Sequence, residues 1–536
     1  MIDDDTSNPK PSANESRRRG VTRRMALGTA AALTATQIPA STPPGRPTRP
    51  MPDGRFVSPE QYGALGDGMT DDTPALQAAL NAGRSILLGH GRHYLVRSTL
   101  RVASDDILLT GGGRIKIARD FKLAGIVGTS LKVIVVEGEQ ATFDGITFDA
   151  SEAPQGSAVE NGIIWSEKSS TTVRNCLFLN NPKGTAVWIL GNSPYSIVTN
   201  CRFLNCSGAV FAKGRNPVIT NNVVINATDA AIAINGQSCV GAIITGNSIS
   251  NEKLVPIPSM IAVEESASNW TITGNTLTGV NGGGIICTNV LDSTVVRGGV
   301  IADNIIEGHR FDGRVPKTEN PAALLYVSPS YTDWIVHDNR ISNCPTGNSN
   351  SRLIILSATG GIFHDNIVDG SSNAELSAMI MILPGRNGIT ISDNITKAAD
   401  GGRHFLFSPG DYGNVACTFI HGRLYGGAEG INAELGSKDH RGLVLQIHDI
   451  ADSSVGSIVN AATILGDRAA LLNDGGWAWP HRLGVHTVMY GNKIPVHAGK
   501  MPFQPGDRFH FITPIRGKPA GVIRLADGWG GLATIM

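Results

Sequence analysis

The sequence predicts an all-β chain: a single-stranded right-handed parallel β-helix with an N-terminal capping helix and a C-terminal β-rich domain. Two features of composition and one repeated phrase support this fold class. The chain of 536 residues holds 64 Gly and 36 Asn, which supply the positive φ angles and side-chain caps of tight turns. Of those Asn residues, 28 lie between Asn161 and Asn394, where short β-branched runs alternate with a recurring phrase that contains Asn.

The spacing of this phrase defines the repeat. It begins as Arg174-Asn175-Cys176 and continues through Thr245-Gly246-Asn247 to Ser392-Asp393-Asn394. Its last residue stands at Cys176, Cys201, Asn222, Asn247, Asn275, Asn304, Asn339, Asn366 and Asn394, in steps of 21 to 35 residues. Such a period is typical of solenoids, and Asn side chains stacked at one turn of each coil can satisfy one another and the turn backbone. A leucine-rich repeat has a similar period, but its Leu-dominated consensus is absent.

Charge and composition exclude several other classes of protein. The 45 Lys and Arg balance 45 Asp and Glu, which argues against nucleic acid as a partner. Charged residues form only 17% of the chain, which argues against a mostly disordered protein, and Gly without a G-x-y period excludes collagen. The seven Cys lack zinc spacing and scaffold density, so we interpret Cys176 and Cys201 as buried, small apolar residues rather than bridges.

The first 55 residues are predicted to be an export signal followed by a linker. Arg23 and Arg24 precede an apolar stretch at residues 25–35, which is too short to span a bilayer. The pattern resembles a twin-arginine export signal over residues 1–40, followed by a Pro-rich linker over residues 41–55. A disordered basic terminus is the alternative. The signal predicts a periplasmic or secreted protein, with no membrane contact after the signal is removed.

A helix is predicted next, where Asp72 or Thr73 can N-cap a segment that places Leu76 and Leu80 against the first coil. This helix would close the N-terminal end of the solenoid, which otherwise exposes sheet edges. We therefore interpret the neighbouring Asp residues as structural rather than catalytic.

The sequence of residues 62–80, YGALGDGMTDDTPALQAAL, resembles the N-terminal signature of the pectate-lyase-like superfamily, in its rhamnogalacturonase- and epimerase-like branch. Phage tailspike depolymerases are members of the same superfamily. The resemblance implies a right-handed parallel β-helix over residues 56–430. It also implies a polysaccharide or oligosaccharide substrate, bound along an outward groove that crosses several coils.

Beyond residue 430 the Asn phrase is absent, and residues 431–536 hold short β-rich runs. We predict a C-terminal β-rich domain that caps the helix or assists oligomerisation. The ending at residues 505–523 is similar to a strand pair at the C-termini of tailspike-like proteins, and this similarity suggests a homotrimer.

Candidate site residues follow from aligning the strand that precedes each Asn phrase. Alternation along these strands predicts that Lys213, Asn235 and Glu264 face outward as a polar row, with its ends roughly 10 Å apart. Asn235 is predicted to bind substrate. The aromatic residues predicted on the same face, as further substrate-binding groups, are Trp188, Phe211 and Tyr326.

Five further charged residues are candidates for catalysis. Arg215 and Glu265 follow the strand ends, and Asp229 precedes the strand that contains Asn235. His309 and Arg310 lie in a charged insert, residues 307–320, that could overhang the groove. The simplest alternative is a solvated face with one surface ion pair, worth about 0 to 1 kcal/mol.

The resemblance, together with the polar row, implies an enzyme that cleaves a polysaccharide, with a lyase acting on an acidic polymer as the favoured reaction. In β-elimination a base removes the proton α to a uronate carboxylate, and a cation neutralises that carboxylate. The groups predicted for these roles are Lys213, Arg215, His309 and Arg310. No cofactor is required by the sequence, although a divalent cation such as calcium fits this mechanism. No residue is assigned as a metal ligand.

Two alternatives stay open. A glycoside hydrolase or glycosyl transferase would use paired carboxylates, here Asp229 with Glu264 or Glu265. The Asn-Thr-Asp and Gly-His-Gly motifs of the superfamily's polygalacturonase branch are absent from the coils. A non-catalytic carbohydrate-binding or cell-surface β-helix is the other alternative.

Overall fold

The structure is a computed structural model that describes most of the chain between Phe56 and Thr534. The residues that it does not describe are 1–55, 124–129, 155–160, 169, 289–294, 310–322, 344–351, 373–377, 401, 408–415, 426–428, 434–443, 451–456, 461–480, 484–485, 492–507, 512–518, 526–527 and 535–536. The predicted export signal, the linker and Arg310 lie outside the described residues. Within the described part of the chain, no helix is long and apolar enough to cross a membrane.

Forty strands between Phe56 and Asn460 form a parallel β-helix, which confirms the predicted fold class. Each coil contributes one strand to each of three parallel ladders, named here A, B and C. The strands of ladder A are Leu100–Val102, Lys132–Val136, Gly162–Ser166, Thr185–Ile189, Gly208–Ala212, Ile232–Asn235, Ile261–Glu264, Ile285–Cys287, Ala323–Val327, the first parts of Arg352–His364 and Ile380–Ser392, Arg403–Phe407, Glu429–Ala433 and Ser457–Asn460.

Ladders B and C complete each coil. Ladder B consists of Phe56–Val57, Ser85–Leu87, Leu108–Thr110, Ala141–Asp144, Thr171–Arg174, Ile197–Thr199, Val218–Thr220, Ile243–Thr245, Thr271–Thr273, Val300–Ala302, Ile335–His337, the second parts of Arg352–His364 and Ile380–Ser392, the first part of Ala416–Tyr425, and Val444–Ile450. Ladder C consists of Asp67–Asp71, His93–Val96, Arg114–Ile117, Thr147–Asp149, Leu177–Leu179, Arg202–Leu204, Val223–Ile225, Ser248–Ser250, Thr276–Val280, Ile305–Gly308, Arg340–Ser342, Ile367–Asp369, Ile395–Lys397 and the end of Ala416–Tyr425.

The interior of the coils is one hydrophobic core that runs from Val57 to Leu424. Alternate strand residues enter it, because successive side chains of a strand point to opposite faces. Within ladder C, the rings of Phe178 and Phe203 stack 4.8 Å apart in neighbouring coils. This spacing matches that of adjacent strands, so identical side chains in register pack on one another along the helix.

The repeated Asn forms an internal ladder at the turn between ladders B and C. Asn247 is 1% exposed, and its backbone N–H and its Nδ2 both donate to Oδ1 of Asn275 at 2.9 Å. The residue before each ladder position has a positive φ, 55° at Asn221 and 62° at Gly274, so the chain places Asn, Gly or Asp there. Cys201 occupies the same position as a buried free thiol, which confirms its interpretation as a small buried residue.

The N-terminal end carries the predicted capping helix, α1 (Thr73–Asn81), preceded by a 3₁₀ turn at Pro59–Tyr62. Asp72 is the N-cap residue, but its carboxylate accepts hydrogen bonds from the backbone N–H groups of Leu65 and Gly66 rather than from α1. Asp71 instead accepts the N–H of Thr73 at 3.0 Å. Both carboxylates therefore hold the cap together, in agreement with a structural role.

Two smaller sheets lie outside the three ladders. Val296–Arg297 pairs with Tyr331–Thr332 in the middle of the chain. Near the C-terminus a five-stranded mixed sheet contains His481–Leu483, His486–Gly491, Arg508–Phe511, Pro519–Leu525 and Gly528–Thr534. The end of the chain is thus β-rich, and its antiparallel pairs differ from the all-parallel ladders.

Candidate functional site

The three residues predicted as a polar row lie side by side on ladder A. Asn235 pairs directly with Glu264 in the neighbouring strand. Lys213 follows Ala212, and Ala212 pairs with Ile234, so Lys213 stands opposite Asn235 on its other side. Because the inward residues of these strands belong to the core, the row faces outward as predicted.

Contacts within the row are asymmetric. Asn235 is 4% exposed, and its Nδ2 donates to Oε2 of Glu264 at 3.2 Å. Oδ1 of Asn235 is buried and has no hydrogen-bond partner among the described residues. Nζ of Lys213 lies 4.0 Å from Oε2 of Glu265 and 5.4 Å from the ring centre of Phe211. The ammonium group therefore pairs with Glu265 and the amide with Glu264.

The surroundings of Glu264 favour its protonated form. Burial raises the pKa of the Glu264 carboxyl above its usual value, against the hydrogen bond from Asn235, which lowers it. The negative charges of Asp229 and Glu265 add to the rise, and Lys213 opposes it. The site thus contains one carboxyl group biased toward holding a proton and two carboxylates close enough to influence it.

The backbone after Glu264 takes an unusual path. Glu265 and Ser266 have φ angles of +48° and +70°, and Ala267 N–H donates to the carbonyl of Glu264 at 3.1 Å. Two consecutive positive φ angles are typical of tight turns built from Asn and Gly. In the preceding coil the position opposite Glu265 is Gly236, with φ +87°. A non-Gly residue held in this region costs about 1–3 kcal/mol, so Glu265 occupies a glycine position at a cost.

An aromatic stack adjoins the row. Trp188 and Phe211 are paired in register, and their ring centres are 4.2 Å apart. Trp165, one coil earlier, stacks on Trp188 at 4.8 Å and was missed by the sequence alignment, which began one coil too late. The same alternation would have found it, because Trp165 pairs with Trp188 in ladder A.

The stack corrects one expectation. Trp188 points outward, since it lies in a cluster separate from the core, yet it is only 6% exposed and its Nε1 donates to the carbonyl of Asn161 at 2.8 Å. It therefore supports Phe211, which is half-buried, rather than offering its own face to a sugar. Tyr326 lies on the same outward row beyond Ile286, as predicted, and burial raises its pKa.

The remaining candidate residues lie outside the polar row. Asp229 is exposed and reaches the row through its charge on Glu264. Arg215 is exposed, and its carbonyl accepts the N–H of Tyr195 at 2.8 Å. His309 follows a ladder C strand, and its buried Nε2 has no hydrogen-bond partner among the described residues. Within the described part of the chain, no group of three or more His, Cys, Asp or Glu is placed to hold a metal ion.

Fold and site together define a right-handed parallel β-helix protein with a carboxylate-rich outward face. The family model described as "Right handed beta helix region" matches residues 132–300. Among solved structures, pre-mature gene product 12 of bacteriophage phi29 is similar with a TM-score of 0.56 and 14% sequence identity, over 78% of this chain and 58% of that chain. These findings confirm the predicted right-handed parallel β-helix fold.

Two curated proteins share shorter similarity in sequence. Capsule K30/K69-specific depolymerase 1 of Klebsiella phage K5-2 is 29% identical over 106 residues, which cover 19% of this chain and 13% of that protein. The capsule K30/K69-specific depolymerase of Klebsiella phage K64-1 is 24% identical over 166 residues, which cover 28% of this chain and 21% of that protein. The chain spans less than a quarter of the length of either relative.

Proposed function

We propose that the protein is an exported carbohydrate-active enzyme that cleaves an extracellular polysaccharide, and that the cleavage is hydrolysis. The observation that carries this proposal is the pair of carboxyl groups of Glu264 and Glu265 at the end of a ladder A strand. Asp229 lies close enough for its charge to act on Glu264, and the half-buried ring of Phe211 lies two coils earlier on the same ladder. Aromatic rings next to carboxylates suit a sugar chain. The similarity to two capsule depolymerases supports a polysaccharide as substrate, and the Arg23-Arg24 signal supports export.

The two roles in hydrolysis follow from the two environments. Glu264 is half-buried, and its raised pKa suits a general acid that protonates the glycosidic oxygen. Asp229 is exposed, so its carboxylate suits the base that activates water or the nucleophile that attacks the anomeric carbon. Asn235 orients the Glu264 carboxyl by donating to Oε2. The difference in burial would thus make Glu264 the acid and Asp229 the base or nucleophile.

β-Elimination is the second candidate, because Lys213 stands in the same row and could act as the base. The charges around it support this mechanism less well. Nζ of Lys213 is paired with Oε2 of Glu265 at 4.0 Å, so a neighbouring carboxylate holds the group that would have to approach the substrate proton. A uronate carboxylate would add a further negative charge beside the carboxylates of Asp229 and Glu265, so a bound cation such as calcium would be needed to hold it.

A panel of bacterial capsular and cell-surface polysaccharides tests the proposal. Hydrolysis gives new reducing ends without the ultraviolet absorbance of an unsaturated uronate, whereas a lyase gives both. Glu264→Gln and Asp229→Asn should each lower kcat by 10²-fold or more, roughly the contribution of a positioned acid or base. The matched control is Glu307→Gln, which removes an exposed carboxylate on ladder C that accepts from Asn343.

The outcomes separate the hypotheses. If the products absorb in the ultraviolet, and their formation requires Lys213 but not Asp229, the reaction is elimination and not hydrolysis. Binding to a polysaccharide without either product, in a protein whose far-ultraviolet circular dichroism is intact, would leave a non-catalytic binding protein. Full activity of both carboxylate variants would mean that the active site lies on another face.

A further inference from the structure

The turn that follows Glu264 differs from the equivalent turns of the coils before it. Register places Gly191 opposite Gly214, Gly214 opposite Gly236, and Gly236 opposite Glu265. A Cβ built on Gly236 meets no heavy atom within 4 Å, so space alone does not require glycine there. At Glu265 the chain keeps the left-handed backbone of Gly236 in the preceding coil, with φ +48° against +87°, while it adds a carboxylate.

That carboxylate determines which group Lys213 contacts. Lys213 stands in the row between Leu190 and Asn235, and its flexible side chain extends to Glu265 at 4.0 Å. Glu264 receives the amide of Asn235 instead. If the carboxylate of Glu265 were absent, the ammonium group would be free to turn toward Glu264, whose charge it already influences.

The geometry points to Glu265 as a positioning residue that holds the Lys213 ammonium on its own carboxylate and so leaves Glu264 to Asn235. This inference rests on the proposed function, in which Glu264 is the general acid. Glu265 acts in two ways that have the same sign: its negative charge opposes ionisation of Glu264, and it withdraws a positive charge that would favour ionisation. The titratable and charged groups that face Glu264 among the described residues are Asp229, Glu265, Lys213 and Tyr331.

The test is the alkaline limb of the pH–rate profile, along which a general acid loses its proton. Glu265→Gln should move this limb down by roughly half a unit to one unit, the effect of one charge several ångströms away in a partly solvated site. Lys213→Met should move it up, and the double variant should return it toward the wild-type position. Glu265→Asp should retain the wild-type limb, because it keeps the charge.

Two further measurements keep the test independent of folding and of catalysis. Glu265→Gly restores the residue of the preceding coils, so it should fold at least as well as the wild type and shift the limb as Glu265→Gln does. Titration of the Glu264 side-chain carboxyl by ¹³C NMR, assigned with Glu264→Gln, should show the same shifts without substrate. Glu307→Gln, an exposed charge change on ladder C, should move neither readout.

The possible results distinguish this inference from the proposed function. An unchanged limb and an unchanged Glu264 titration in Glu265→Gln, with Glu264→Gln inactive, would overturn the role of Glu265 and leave the function standing. Full activity in Glu264→Gln would remove the acid role, while the NMR titration would still decide whether Glu265 controls the ionisation of Glu264. If the alkaline limb lies at the same pH in Glu265→Gln and in the double variant with Lys213→Met, Lys213 takes no part in setting it.

Discussion

Replacing Asn275 by Ala should cost the β-helix more stability than the same change at Asn222, the first Asn of the ladder. Oδ1 of Asn275 accepts from the backbone N–H and from Nδ2 of Asn247. Its Nδ2 donates to the carbonyls of Ile244 and Thr273 and to Oδ1 of Asn304. The side chain is fully buried, so water cannot replace any of these partners in the folded state.

The magnitude follows from counting these bonds. Five side-chain hydrogen bonds at about 1 kcal/mol each give a loss of about 5 kcal/mol for Asn275→Ala. Asn222, at the start of the ladder, makes three such bonds, to Cys201 N–H, the carbonyl of Val198 and Oδ1 of Asn247. The same estimate gives about 3 kcal/mol for Asn222→Ala. The difference of about 2 kcal/mol between the two variants is therefore the quantity to measure.

Equilibrium unfolding in urea gives this difference, with circular dichroism as one probe and tryptophan fluorescence, to which Trp270 of the affected coil contributes, as a second. Trp270 is 1% exposed and directly precedes the strand Thr271–Thr273, which leads into Asn275. Because repeat proteins can unfold in parts, the two signals should be compared before a single free energy is fitted. Equal losses in the two variants, or losses below about 1 kcal/mol, would refute the view that the Asn ladder stabilises the turns.

Three other predictions concern the turns, the site and the aromatic stack. Gly274→Asn should leave the urea midpoint nearly unchanged and Gly274→Val should lower stability by about 1–2 kcal/mol, since φ is +62° there; equal midpoints would contradict this reason. Burial raises the pKa of Glu264, so the folded protein binds this proton more tightly than the unfolded chain does. The protonated carboxyl group therefore contributes stability below the unfolded pKa, and this stability is lost as pH rises through the folded pKa. Glu264→Gln should therefore stabilise the protein at pH 7, with a gain that shrinks toward about pH 4, the unfolded value, and a pH-independent gain would speak against it. Trp188→Ala should lose about 3–5 kcal/mol, whereas Phe211→Ala should lose less stability and weaken glycan binding, as calorimetry on the Glu264→Gln background can show.

The register of the site could be predicted from the sequence because strand geometry is periodic. Once Ile232–Asn235 and Ile261–Glu264 are recognised as equivalent strands, alternation alone places Asn235 beside Glu264. The Asn phrase provides the alignment, since each coil must return to the same buried turn. Trp165 was omitted only because the alignment started one coil later, and the same rule would have included it.

The contacts of the site could not be predicted in the same way. The pairing of Lys213 with Glu265 rather than Glu264 depends on two positive φ angles, at Glu265 and Ser266, which neither residue type favours. The approach of Asp229 depends on the path of a turn whose length varies between coils. Burial of Trp188 depends on how neighbouring side chains cover it. Periodicity specifies which residues share a face, but these local choices of backbone and rotamer determine which of them touch.

The same local choices also give the strongest physical argument that this face is functional. Features that each cost stability are concentrated at one strand end: a half-buried Glu264 whose pKa is raised, a left-handed backbone at Glu265, and a buried Oδ1 of Asn235 with no described partner. The equivalent position of the preceding coil shows that the fold does not require them, because Gly236 makes the turn there without strain. Costs that a scaffold could avoid, yet gathers at one place, are expected where a protein trades stability for activity. The regular Asn ladder, repeated coil after coil, contributes stability that offsets these local costs.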